Sequence, residues 1–427
     1  MQRMLSARRV YILSVIFACG GAAARAEDVA QLVPGDAALY IGWSQWLTPD
    51  SPELRMQQKL IAAVAKAATQ PSATSEEPTW LPPLFEIIEP LQTGSGGIGV
   101  FDVKLVANEP QIDAALVVAG PDARELPDAV HKFFAVAVGA EHVERHVVQD
   151  AALECAHLED IPLLPVWGMH KEYFILALGD SAMGKVIDCI EKRAPSLAAA
   201  DEFAFDRKKV ETQAAGSHFC IYADVQRIVA RGRELAQQAM GELPPTVDQA
   251  LNELGLTAIR SKYVEIGALD GHPRMMAFAH VAGAKRGLLK FWDQKPLTDD
   301  DLKIVPKDAY WAEVSNLDLA GLWSEALRVF EALAPDKLPL VQGPLAMSTQ
   351  MLGFSITDDF LPAFGDTWAL FDAPEHGGIL LSGTVLVAEA RNADALQGML
   401  KRLVELVAPF AREGDALGIM KIGEITI

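Results

Sequence analysis

The chain has 427 residues, 50% of them hydrophobic, with 37 basic side chains against 57 acidic ones and a net charge of −20. That length exceeds what one hydrophobic core usually holds, so two or three domains are expected. So acidic a field repels phosphate backbones and anionic lipid surfaces, which argues against a nucleic-acid partner and for cationic ones.

Residues 1–26 read as a signal peptide, because Arg3, Arg8 and Arg9 precede an apolar run at 10–18 and Ala24-Arg25-Ala26 suits signal peptidase. The run is about half of the ~20 residues that a membrane-spanning helix needs. A cleaved leader with no integral span after it is therefore expected, and with it an exported protein, periplasmic or extracellular. Ile16-Phe17-Ala18-Cys19 is an imperfect lipobox, which leaves a lipid anchor through Cys19 as the alternative, and Arg8-Arg9 loosely imitates a twin-arginine signal. Losing the leader leaves 33 basic against 57 acidic residues, a charge of −24. Three cysteines follow it, Cys155, Cys189 and Cys220, a count too sparse for a disulfide framework; one bonded pair and three packed thiols are both open.

A buried strand is expected at 38–43 after the Pro34-Gly35 turn, then a helix capped by Ser51, then a polar loop at 69–78. Residues 98–105 and 112–119 read as an antiparallel hairpin. Gly120-Pro121-Asp122 should open a helix with Asp122 and Glu125 in a capping box and Val130, Phe133, Phe134 and Ala137 inward. Further strands are expected at 143–148, 164–168 and 173–178, and a helix capped by Asp180 with Met183, Val186, Ile187 and Ile190 inward. A strand at 218–223 precedes helices at 227–240 and beyond Pro244-Pro245. Residues 263–269 and 274–281, joined through Asp270-Gly271, make the plainest hairpin in the chain.

Leu32-Val33-Pro34-Gly35-Asp36-Ala37 returns 272 residues later as Ile304-Val305-Pro306-Lys307-Asp308-Ala309. Gly99-Val100-Phe101-Asp102 answers at a spacing of 270 to Ala369-Leu370-Phe371-Asp372, and Leu116-Val117-Val118 to Leu386-Val387-Ala388, each of the latter pair followed by a helix. In this reading the chain is a duplication. It divides into the leader 1–26, a first unit 27–303 with a possible subdivision near 195–215, and a second, partial unit 304–427. Asp318 should cap a helix there, and Met420 to Ile427 is expected as a strand, either left without its hairpin mate or closing an existing sheet. The class expected is α+β, with antiparallel sheets covered on one face by helices.

The Val33-Pro34-Gly35-Asp36 strand entry, the passage from Ser196-Leu197-Ala198 to Phe203, the strand His218 to Asp224 and Leu361-Pro362-Ala363-Phe364-Gly365-Asp366 together resemble a family of exported, repeat-built bacterial proteins catalogued as a domain of unknown function. The resemblance implies export and a repeated fold. It carries no catalytic residues.

The chemistry-bearing patterns are few. Gly94-Ser95-Gly96-Gly97-Ile98-Gly99 satisfies GxGxxG, yet a helix precedes it and a strand follows, the reverse of a dinucleotide site, so a flexible turn is expected. His142, His146, Cys155 and His157 are the candidate metal ligands, with Glu141, Glu144, Glu159 and Asp160 nearby. On a strand His142 and His146 would stand about 13 Å apart. That spacing favours surface histidines over a metal site. HExxH, GxSxG, SxxK, CxxC and CxxCH are absent from the sequence. Asp102 and Asp372 recur at the repeat spacing beside apolar residues, as structural carboxylates would, and the eight tryptophans are read mainly as core. The expectation is a non-enzymatic interaction or envelope scaffold with an unknown protein or envelope partner and no cofactor. A carrier of an apolar ligand or lipid and a hydrolase with an unrecognised site are the alternatives.

Overall fold

The computed structural model describes residues 27–44, 81–106, 109–158, 163–211, 217–269, 272–285, 287–309, 311–372 and 384–407, with 421–422 and 425–426. The leader, the helix after Ser51 and the loop at 69–78 lie outside the described residues. The chain forms two compact units, one within Met1–Leu243 and Ile259–Ala282, the other Pro244–Ala258 with Gly283–Ile427. Both mix helices with antiparallel sheet, and the class is α+β.

The first unit is organised on one ten-stranded sheet in the order β10-β9-β8-β1-β2-β3-β7-β6-β5-β4, antiparallel throughout. Its strands are β1 (Leu39–Trp43), β2 (Ser95–Val106), β3 (Glu109–Ala119), β4 (Val143–Val148), β5 (Ala151–Ala156), β6 (Pro165–His170), β7 (Tyr173–Leu178), β8 (Ser217–Asp224), β9 (Ile259–Leu269) and β10 (His272–Val281). Its helices are α1 (Glu27–Ala30), α2 (Leu81–Thr93), α3 (Leu126–Val138), α4 (Asp180–Ile190), α5 (Asp201–Glu211) and α6 (Val225–Met240).

Helices pack on both faces of this sheet, a correction to the single covered face expected. Val117 of β3 joins Ile175, Met183, Val186 and Ile187 in one core, which also holds Tyr40, Phe203, Tyr222 and Tyr263. Its neighbour Val118 points the other way and joins Trp167, Phe174, Leu126 and Val130 under α3. Successive side chains on a strand face opposite sides, so a run such as Leu116-Val117-Val118 loses least when both sides are roofed. Trp167 is fully buried and stacks on Phe134 at 4.9 Å between ring centroids.

The GxGxxG stretch is strand rather than flexible turn from Ser95 onward. Its glycines lie beneath aromatic rings: Trp43 of the next strand over Gly96, Tyr40 of that strand over Gly97, and Phe101 of β2 itself over Gly99. A Cβ on Gly96 would stand 2.3 Å from the Trp43 indole, and one on Gly99 would meet Phe101 at 2.6 Å and Val33 at 2.8 Å. Close packing selects glycine here, with no phosphate involved.

Two expected caps have other partners. Asp122 sits in the short 3-10 turn Pro121–Glu125, which has no side-chain cap, and accepts a hydrogen bond from the Thr93 hydroxyl at 2.7 Å; α3 starts only at Leu126. Ala137 on that helix is exposed. Asp180 likewise makes no cap and bonds His146 instead. Asp224, by contrast, caps α6 by accepting from the Arg227 amide. The three cysteines that follow the leader are free and buried.

In the second unit, β11 (Trp311–Asn316), β12 (Phe364–Asp372) and β13 (Thr384–Ala390) form a three-stranded antiparallel sheet in that order. Its helices are α7 (Pro245–Glu253), α8 (Leu319–Leu333), α9 (Leu338–Leu352) and α10 (Ala393–Val407). Asp318 caps α8 by accepting from the Gly321 amide at 3.0 Å. α7 and the 3-10 turn Gly287–Trp292 belong here because both pack on α8. Gly287, at φ +56°, lies so close to Glu253 that a Cβ would meet its carbonyl oxygen at 1.7 Å. The order β11-β12-β13 followed by α10 parallels β1-β2-β3 followed by α3. Val314 faces Ala369, two residues from the Thr367 that the repeat offsets would pair with it, and an even shift keeps each side chain on its face. Lys421–Ile422 pairs only with Ile425–Thr426, so the terminal residues close neither larger sheet among the described residues.

Candidate functional site

The β4–β5 hairpin places Glu144 opposite Cys155, and the His157 amide donates to the His142 carbonyl at 3.0 Å. Of the four candidate ligands, Cys155 and His157 come together, with Glu144; their ligand atoms lie within 4.8 Å of one another. His142 and His146 stay outside that group. His146 Nε2 bonds Asp180 at 2.7 Å, and His142 lies 3.9 Å from Glu141. Within the group, Glu144 Oε1 takes a hydrogen bond from His157 Nε2 at 2.7 Å and a long one from the Cys155 thiol at 3.9 Å. The His157 bond holds the Glu144 carboxyl below its usual range, and burial pushes the Cys155 thiol up. A thiol kept protonated beside an occupied carboxylate is a poor metal ligand.

A second convergence joins residues far apart in the sequence. Helix α5 lies on β9 and β10, so Glu202 and Asp206, one helical turn apart, look down on Ser261 and His280, which pair across the two strands. Glu202 is held by Arg260 Nη1 at 3.0 Å and by His280 Nδ1 at 2.7 Å. Phe205 stacks on the His280 ring at 4.6 Å and fixes its plane. Asp206 is fully enclosed, its Oδ1 is 3.9 Å from His280 Nδ1, and neither of its oxygens makes a hydrogen bond of good geometry. The Ser261 hydroxyl is also fully buried, and its contact with the Asp206 carboxyl is loose and falls short of good hydrogen-bond geometry.

These environments push the two carboxyls apart. Burial raises Asp206 to about 6, with Glu202 adding to the rise and a Ser261 hydrogen bond and His280 opposing it. Burial also raises Glu202, but the hydrogen bonds from Arg260 and His280 outweigh it and hold that carboxyl below its ordinary value. One carboxyl is thus ionised throughout the neutral range while its neighbour titrates close to it. An imidazole and two carboxylates with opposed proton affinities can relay a proton or hold a cation.

Sequence reasoning passed over this group because α5 reads Asp-Glu-Phe-Ala-Phe-Asp-Arg-Lys-Lys, a solvated surface pattern, and His280 lies 78 residues beyond Glu202. The one local signal was the Glu202/Asp206 spacing. Asp102 pairs with Arg231 at 2.6 Å and Lys104 at 3.4 Å, a structural ion cluster, while Asp372 is buried on β12. Trp43 and Trp167 fill core, whereas Trp292 and Trp311 are exposed, a departure from the core-filling expectation.

The chain matches no protein-family model, no curated protein and no solved structure. No helix among the described residues is long and apolar enough to cross a membrane.

Proposed function

We propose that this chain is an exported, acidic, non-enzymatic interaction protein whose second unit receives an extended, cationic segment of a partner protein along an open sheet edge. One observation carries the reading. In the first unit β1 is flanked by β8 as well as β2, and β3 by β7 as well as β2. The corresponding strands of the second unit, β11 and β13, are sheet edges among the described residues. An open edge presents a row of backbone donors and acceptors, and folds normally blunt it with charge. Here each edge exposes a large apolar group, Leu386 at 63% on β13 and Trp311 at 42% on β11, beside an acidic one, Glu389 and Glu313. The net charge of −20 favours a cationic occupant.

Less supports a carrier of an apolar ligand, since Met183, Val186, Ile187 and Phe203 pack directly against sheet residues in one continuous core. The test is capture from an envelope fraction, then reconstitution with the purified partner and a peptide of its extended segment. Binding that the peptide competes away and that Leu386→Lys or Trp311→Lys weakens at least about ten-fold supports the proposal. Binding indifferent to both substitutions overturns it. Turnover of an ester, peptide or glycoside substrate that disappears in Asp206→Asn would instead make the chain a hydrolase.

A further inference from the structure

Buried polar atoms without hydrogen bonds are uncommon in folded proteins, and each asks for a reason. Around α5 three polar atoms lack a well-formed hydrogen bond together, both carboxylate oxygens of Asp206 and the hydroxyl of Ser261, with only a loose contact between the two side chains. They sit beside an imidazole and a second carboxylate whose ligand atoms lie within 4.8 Å of one another. We propose that Glu202, Asp206 and His280 bind one divalent cation of the zinc class, with Ser261 or water available at a fourth position. The inference stands apart from the edge-docking reading, because every residue in it belongs to the first unit.

The distances suit such an ion. Bonds of about 2.0 to 2.1 Å in a tetrahedral site put neighbouring ligand atoms roughly 3.3 Å apart. His280 Nδ1 stands 2.7 Å from Glu202 and 3.9 Å from Asp206, values on either side of that spacing. Sub-ångström adjustment of two side chains would equalise them. The proton now shared between His280 and Glu202 is what the cation would displace. The donor set also restricts the metal. One imidazole with two carboxylates and no thiolate suits zinc or manganese better than copper(I), while calcium and magnesium prefer an all-oxygen shell of six or more ligands.

The surroundings of each ligand resemble a supporting shell. Arg260 fixes one oxygen of Glu202 and leaves the other toward His280, and Phe205 holds the imidazole plane. Two carboxylates would neutralise the ion, and the ion would remove the penalty of an enclosed, ionised Asp206. The Glu144–Cys155–His157 group lacks these features. Glu144 and His157 are exposed, and among the described residues no buried carboxylate without a well-formed hydrogen bond faces them.

The test uses the full chain, stripped with chelator and titrated with zinc chloride while heat and thermal unfolding are followed. We expect roughly one equivalent to bind and the unfolding temperature to rise. Asp206→Asn, Glu202→Gln and His280→Gln should each weaken binding at least about ten-fold. The latter two alter partly exposed side chains, so a folding defect in one variant does not remove the test. Glu144→Gln should leave the affinity unchanged. An anomalous-scattering peak in zinc-soaked crystals should fall between Glu202, Asp206 and His280. Absence of a zinc-dependent shift overturns the proposal, as does a shift retained in all three variants or lost in Glu144→Gln.

Discussion

Replacing Asp206 by asparagine should make the metal-free protein more stable at neutral pH. The carboxyl is fully enclosed, and burial lifts its pKa from the ordinary 3.8 to about 6. Each unit corresponds to about 1.4 kcal/mol, so an ionised Asp206 costs at most about 3 kcal/mol; solvent reaching the partly exposed Glu202 and His280 reduces this to roughly 1 to 3 kcal/mol. The folded state binds this proton more tightly than the unfolded state. Its contribution to stability is therefore fully present below the unfolded pKa and is lost as pH rises through about 6. Asparagine keeps the shape and has no charge to bury. Urea unfolding in chelator at a series of pH values measures the difference between the two proteins. It should be near zero at about pH 3 and reach its full size by about pH 8. Glu202 opposes ionisation of Asp206 while His280 and Ser261 favour it, so the profile is read at constant ionic strength. An asparagine variant no more stable than the parent at high pH, or a gain independent of pH, would refute the reasoning. Zinc should reverse the ranking by stabilising only the parent.

Other perturbations test the packing. Gly99→Ala forces a methyl group against Phe101 and Val33 and should cost roughly 1 to 3 kcal/mol, seen as a lower urea midpoint; a neutral result would mean that Phe101 and Val33 lie less closely on Gly99 than described. Trp167→Ala removes the ring stacked under Phe134 and should cost about 3 to 5 kcal/mol by the same measurement. Cys155, Cys189 and Cys220 should resist a thiol reagent in the native protein and react in denaturant, since burial pushes Cys189 to about 11 and Cys220 to about 12; mass mapping of the labelled positions decides this. Arg328→Met breaks the pair to Glu253 that ties α7 to α8, together with the pair to Glu325 within α8, and should loosen the second unit by about 1 kcal/mol or less, detected as faster hydrogen exchange in α7.

Read along the chain, alternation and turn chemistry disclosed the β2–β3 and β9–β10 hairpins, and the cap at Asp318 lies where a short acceptor side chain precedes an apolar run. These features depend on neighbours within a few residues, so the sequence by itself determines them. β5, Ala-Ala-Leu-Glu-Cys-Ala, escaped notice because its small residues carry little strand preference, and it is a strand because β4 and β6 flank it. The capping box expected at Asp122 failed because a distant hydroxyl, Thr93, competes for that carboxylate. Periodicity tells which side chains share a face but not what lies against it. That both faces of the large sheet are roofed, that aromatic rings lie over Gly96 and Gly99, and that His280 meets Glu202 and Asp206 were settled only in three dimensions. Each of these arrangements joins elements whose separation along the chain leaves no trace in local composition.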